Sequence, residues 1–122
     1  SVDYPDVAEP VARAVVDGET DLGVVICSNG VGVSITANKV ARARCALCHT
    51  SWGAARARQH TNANVLALGA WEIGRGIADE ILTAFLREEF DGAPRNERRI
   101  RKLTKVEGRS LEPSLEPLEV RA

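Results

Sequence analysis

The sequence predicts an α/β protein built on a mostly parallel sheet. Three short apolar runs, over 22–27, 44–48 and 64–68, alternate with segments of helical periodicity. That alternation favours parallel strands joined by right-handed crossovers. The runs also lack the polar alternation of a half-solvated sheet, as strands covered on both faces do. The 122 residues suffice for one domain with a modest core.

Each element has a local reason. After an irregular entry over 1–5, Asp6 is placed to cap a helix over 7–16, with Val7, Val11, Ala14 and Val15 on one stripe and Gly18 near its end. The strand over 22–27 delivers Cys27 to its carboxyl end. The turn Ser28-Asn29-Gly30-Val31-Gly32 then leads into a helix over 33–39. A second strand covers 44–48. Thr50 or Ser51 caps a helix reaching Gln59, and a third strand spans 64–68. Residues 72–89 carry Ile73, Ile77, Ile81, Phe85 and Leu86 at helical spacing and form the longest helix. A break over 91–94 precedes a last helix over 95–106. The remainder repeats Ser-Leu-Glu-Pro at 110–113 and 114–117. Its prolines and glutamates predict a disordered tail over 108–122, leaving 1–107 as the folded domain.

Composition narrows the function classes. Sixteen basic and 17 acidic residues leave a net charge of −1, so no global attraction draws the chain to nucleic acid. No apolar run approaches the roughly 20 residues needed to cross a bilayer, and no amino-terminal signal pattern is seen. Three cysteines cannot all pair and suit a reducing, cytoplasmic setting.

Four groups of residues bear on chemistry. The strand–turn–helix around Cys27 makes a concave set of backbone N–H groups suited to negative charge, at the crest where open α/β sheets bind ligands. A thiol there is acidified and made reactive. A cysteine at a strand end is also commonly a small core hydrophobe, and Gly30-x-Gly32 completes no phosphate-loop pattern; both readings stay open at this level. Cys45-Ala46-Leu47-Cys48-His49 formally fits a c-type haem attachment signature. The chain has no methionine for an axial ligand, however, and an odd offset on a strand puts the two thiols on opposite faces. A zinc site would need a second ligand pair. Cys45 and Cys48 are therefore expected in the core, with no metal and no cofactor. His60 suits proton transfer near neutral pH, or equally a helix carboxyl terminus. Arg95 and Arg99 stand four apart on one helix face and can form a two-armed phosphate clamp. The surrounding Arg98, Arg101, Lys102 and Lys105 otherwise read as a solvated face, without the interleaved aromatics of a nucleic-acid patch.

Five stretches in register carry a resemblance. They are Val2-Asp3-Tyr4-Pro5-Asp6, Ile26-Cys27-Ser28-Asn29-Gly30-Val31-Gly32-Val33-Ser34-Ile35, Ala37-Asn38-Lys39, Ala46-Leu47-Cys48-His49 and Asn64-Val65-Leu66-Ala67-Leu68-Gly69. Over residues 2–107 the chain resembles the ribose-5-phosphate isomerase B / galactose-6-phosphate isomerase family. The resemblance implies a three-layer Rossmann-like sandwich. It also implies a homodimer or tetramer with sites at the subunit interface. The implied reaction is cofactor-free aldose–ketose isomerisation of a sugar phosphate, ribose 5-phosphate to ribulose 5-phosphate foremost. On this basis Cys27 is the base, and Ser28, Asn29, Gly30, Val31 and Gly32 hold the substrate and the enediolate. His60 opens the sugar ring across the interface. Arg95 and Arg99 hold the phosphate, given one extra residue in the break before them. Four departures accompany the match. The family's first strand–helix–strand part, with its Asp-His pair, is absent, so the sheet is expected to be amino-terminally truncated with a bare edge. Ser28-Asn29 replaces Gly-Thr, Thr61 replaces an asparagine, and Trp71 replaces a phosphate-binding arginine. These departures also admit a catalytically impaired binding or assembly subunit of the same family.

Overall fold

In the computed structural model, which describes residues 1–108, each apolar run becomes a strand followed by a helix. The elements are α1 (Tyr4–Val16), β1 (Gly23–Cys27), α2 (Val31–Asn38), β2 (Cys45–Leu47), α3 (Ser51–Thr61), β3 (Val65–Gly69), α4 (Arg75–Arg87) and α5 (Pro94–Glu107). The tail expected from the repeated Ser-Leu-Glu-Pro falls outside the described residues.

The three strands among the described residues are all parallel, in the order β1-β3-β2. The last of these in sequence thus takes the centre, and all five of its residues are buried. Side chains alternate between two cores. Val65 and Ala67 join Val25 with Val33 and Ala37 of α2 and Ala8 and Ala12 of α1. Leu66 and Leu68 face the other way, against Ala54 of α3 and Ile81 and Phe85 of α4. Helices therefore cover both faces, giving the expected three layers. Cys45 packs against the first core and Cys48 is buried in the second, so the thiols of the haem-like motif point apart as the strand offset predicts. Burial pushes each of these thiols up to about 11, the state of an inert core cysteine.

Several boundaries differ from expectation, each for a local reason. The first helix is capped at Asp3, not Asp6; Pro5 fits the first turn, where no N–H is needed, and the Asp6 N–H donates to the Asp3 carbonyl at 3.1 Å. The second helix begins at Val31 rather than 33, because Gly30 at φ 77° completes the reversal by itself. The fourth begins at Arg75 rather than 72. Residues 69–73 instead form a turn in which the Glu72 and Ile73 N–H groups donate to the Gly69 carbonyl, at 3.0 and 3.3 Å. Pro94 opens the last helix instead of belonging to the break before it.

Both sheet edges are handled differently. At β2 the Asn38 side chain imitates a neighbouring strand: its Nδ2 donates to the Cys45 carbonyl at 3.0 Å and its Oδ1 accepts from the Cys45 N–H at 2.8 Å. At β1 the outer edge is bare among the described residues, and Val24 and Ile26 stand 37% and 55% exposed beside it. No helix among the described residues is long and apolar enough to cross a membrane.

The helix carrying His60 has a built start. Thr50 Oγ1 accepts the Gly53 N–H at 3.0 Å, and Thr50→Ala is expected to lower stability by about 1 kcal/mol, measurable as a shifted urea midpoint.

Candidate active site

The turn after β1 is built around Cys27. Gly30 lies so close to Leu47 and to the Leu68–Gly69 backbone that a Cβ there would come within 2.5 Å of Leu47 Cδ1 and 2.9 Å of the Leu68 carbonyl carbon. Asn29 Oδ1 accepts the Val31 N–H at 3.0 Å, closing the first turn of α2, and lies 4.0 Å from Cys27 Sγ. The turn is pinned from the other side by the loop after β3. The Ala70 N–H donates to the Cys27 carbonyl at 2.8 Å, and the Trp71 N–H to the Ser28 carbonyl at 2.9 Å. Trp71 itself stands 88% exposed at this crest.

The Cys27 thiol is partly exposed and unpaired. Its limited burial alone would raise its pKa. The backbone N–H groups of Val33, Gly30, Asn29 and Gly32 outweigh that and hold it below the ordinary thiol value. Val33 adds to the residues expected here: the helix starts two residues earlier than the pattern suggests, so its amide falls in the first turn of α2, among those that lower the thiol. A thiolate can thus form at this crest, and amides that favour sulfur charge also favour an oxyanion beside it.

His60 and the arginines lie elsewhere. α3 runs back from the carboxyl end of β2 towards the start of β3, so His60, near its carboxyl terminus, sits at the opposite end of the sheet from Cys27. There His60 Nε2 is 3.4 Å from Arg56 Nη1 and 3.9 Å from Asp91 Oδ2. Arg56 in turn stacks over Trp52 at 5.5 Å. Arg95 and Arg99 are exposed on α5, which starts just after Asp91. Within one chain, then, the sequence-predicted residues form two groups: Cys27 with its turn, and His60 with the start of α5, which Asp91 joins. The sequence marks Asp91 only as part of a break. Its signal was an Asp-Gly pair just before a helix-opening proline, which marks a carboxylate free to bond the next turn. No group of three or more His, Cys, Asp or Glu able to hold a metal occurs among the described residues.

Comparison with known proteins gives the family and the fold. The profile of the Ribose/Galactose Isomerase family matches residues 1–103. The chain is 42% identical over 107 residues to ribose-5-phosphate isomerase B of Escherichia coli K12, covering 88% of this chain and 71% of that one. It is 48% identical over 89 residues to D-erythrulose-4-phosphate isomerase of Pectobacterium atrosepticum, covering 73% of this chain and 59% of that one. Among solved structures, ribose-5-phosphate isomerase B of Clostridium thermocellum superposes with a TM-score of 0.86 at 46% identity, covering 88% of this chain and 72% of that one. The chain therefore spans between about three fifths and three quarters of the length of these relatives.

Proposed function

The chain belongs to the ribose/galactose isomerase family, and from that premise we propose that it interconverts an aldose phosphate and a ketose phosphate, with ribose 5-phosphate and ribulose 5-phosphate as the leading pair. The observation that supports this most is the thiol of Cys27, partly exposed and held below its ordinary pKa by four backbone amides.

The chemistry follows from those groups. With the sugar in its open form, the Cys27 thiolate removes the proton from C2 of the aldose. The electron pair left behind forms the C1–C2 double bond, and the carbonyl oxygen on C1 becomes an oxyanion. Turn amides facing that oxygen stabilise the enediolate, each typically contributing about 3 kcal/mol. The C2 hydroxyl gives up its proton as the new carbonyl forms, the C1 oxygen takes one, and Cys27 returns the carbon-bound proton to C1. His60 moves the proton that opens the sugar ring, and Arg95 and Arg99 hold the phosphate with charge-assisted hydrogen bonds. Conversion in deuterium oxide tests the reaction: recovered aldose should carry deuterium at C2, and a protein giving neither ketose nor exchange is no isomerase of this sugar.

Cys27 and the His60–arginine group stand at opposite ends of one sheet, so the complete site takes each half from a different copy. The expected assembly is a homodimer. With substrate held well below KM, Cys27→Ala should be nearly inactive and the double variant Arg95→Ala/Arg99→Ala should lose most of its rate. Mixed after partial unfolding and refolding, they should regain activity, because a heterodimer carries one intact site. The arginine variant alone should show its loss mainly as KM raised about tenfold or more, the weight of one or two charged hydrogen bonds.

A further inference from the structure

We propose that Asp91 is a positioning residue, which fixes His60 and the arginine-bearing helix α5 in one arrangement and selects the ring nitrogen of His60 that carries the proton. The proposal rests on the reading that His60 opens the sugar ring and that Arg95 and Arg99 bind phosphate.

Asp91 is tied to two elements at once. Its N–H donates to the Gln59 carbonyl near the end of α3, at 3.0 Å. Its carboxylate is fixed from the side of α5. Oδ1 accepts the Ala93 N–H at 2.9 Å, and Asn96 Nδ2 donates to Oδ1 and Oδ2 at 3.1 and 3.0 Å. Asn96 is only 1% exposed, a buried amide whose side-chain N–H groups are directed at this carboxylate. These donors also hold the Asp91 carboxyl below the ordinary carboxylate range, with help from the nearby Arg95 guanidinium. A charged acceptor is therefore held facing the imidazole, 3.9 Å from His60 Nε2. A closure of about 1 Å would make this a hydrogen bond, the kind of tightening that substrate binding brings to sites of this sort.

The opposing neighbour makes the choice of tautomer explicit. Arg56 lies 3.4 Å from the same Nε2. A guanidinium can only donate and a carboxylate can only accept. Engagement with Arg56 requires a bare Nε2, with the proton on Nδ1. Engagement with Asp91 requires Nε2–H and leaves Nδ1 bare, ready to accept the proton of an anomeric hydroxyl. Asp91 thus does for His60 what an orienting carboxylate does for a catalytic imidazole generally.

The experiment combines nitrogen NMR with two substrates, using the whole chain. In Asp91→Asn the His60 nitrogen shifts should move towards the Nδ1–H tautomer, and Asp91→Glu should restore much of the original population. Turnover is then compared between ribose 5-phosphate and a four-carbon sugar 4-phosphate. The latter has no ring to open, because its C4 oxygen is esterified. In Asp91→Asn the ratio of five-carbon to four-carbon turnover should fall by about tenfold or more. An unmoved tautomer population, or an unmoved ratio, overturns the proposal. If the wild-type chain converts neither sugar, the isomerase reading fails instead, and the nitrogen spectra alone then decide whether Asp91 governs His60.

Discussion

Cys27→Ala is expected to lower turnover of ribose 5-phosphate by about a thousandfold, within the span typical of a lost general base. Its effect on stability should stay below about 1 kcal/mol, since the side chain is only partly packed against the first core. Separating those two outcomes distinguishes a chemical role from a packing role. The pH dependence supplies a further check. The base acts as thiolate, so the rate should be low in acid, rise with pH and level off once the thiol is ionised. Because four amides lower the Cys27 pKa, the midpoint of that rise should fall below that of a free thiol. A rate that is unchanged in Cys27→Ala would remove the thiol from the reaction. A wild-type profile flat across the thiol range would remove its ionisation from the rate-limiting step.

Gly30→Ala is expected to damage fold and function together. The residue sits at φ 77°, where a side chain costs about 1–2 kcal/mol. The added Cβ would also meet Leu47 Cδ1 at 2.5 Å and the Leu68 carbonyl carbon at 2.9 Å. Overpacking of this kind costs typically about 1–3 kcal/mol, for a combined loss of about 3 kcal/mol. Relief of the clash moves the turn away from β3 and takes its amides off the reacting oxygen, where losing one donor costs about a hundredfold or more in rate. Gly76→Ala is the matched control. Gly76 lies in α4 with open space around its Cα, and the change should raise stability by about 0.5–1 kcal/mol while leaving the rate alone. Equal thermal midpoints for Gly30→Ala and the wild type would mean that the turn tolerates a side chain and that its geometry is not held by Gly30.

The fold was legible to a large extent, because the signals behind it are local. Val65 to Gly69 form an unbroken apolar run, and such a run is buried from both sides wherever it folds. The opposed burial of Cys45 and Cys48 followed from strand pleating alone. Helix starts were less legible. Asp6 and Asp3 are equally good caps by composition, and only the backbone path through Pro5 decides between them. The start of α2 moved for a similar reason: the φ of Gly30 is a conformation that the sequence permits but does not impose.

The site divides along the same line. Cys27 and the amides after it are close in sequence, so their shared turn could be read from residue order and is built by local bonds. His60 and Asp91 are 31 positions apart, and Asp91 meets His60 only because α3 and α4 pack side by side and bring their carboxyl-terminal ends to one end of the sheet. Sequence by itself determined which residues could ionise, cap a helix or fill a core, since those are properties of single side chains and short spacings. Only the tertiary structure decided which of them meet, because the distance between two side chains far apart in the chain is set by how whole elements pack.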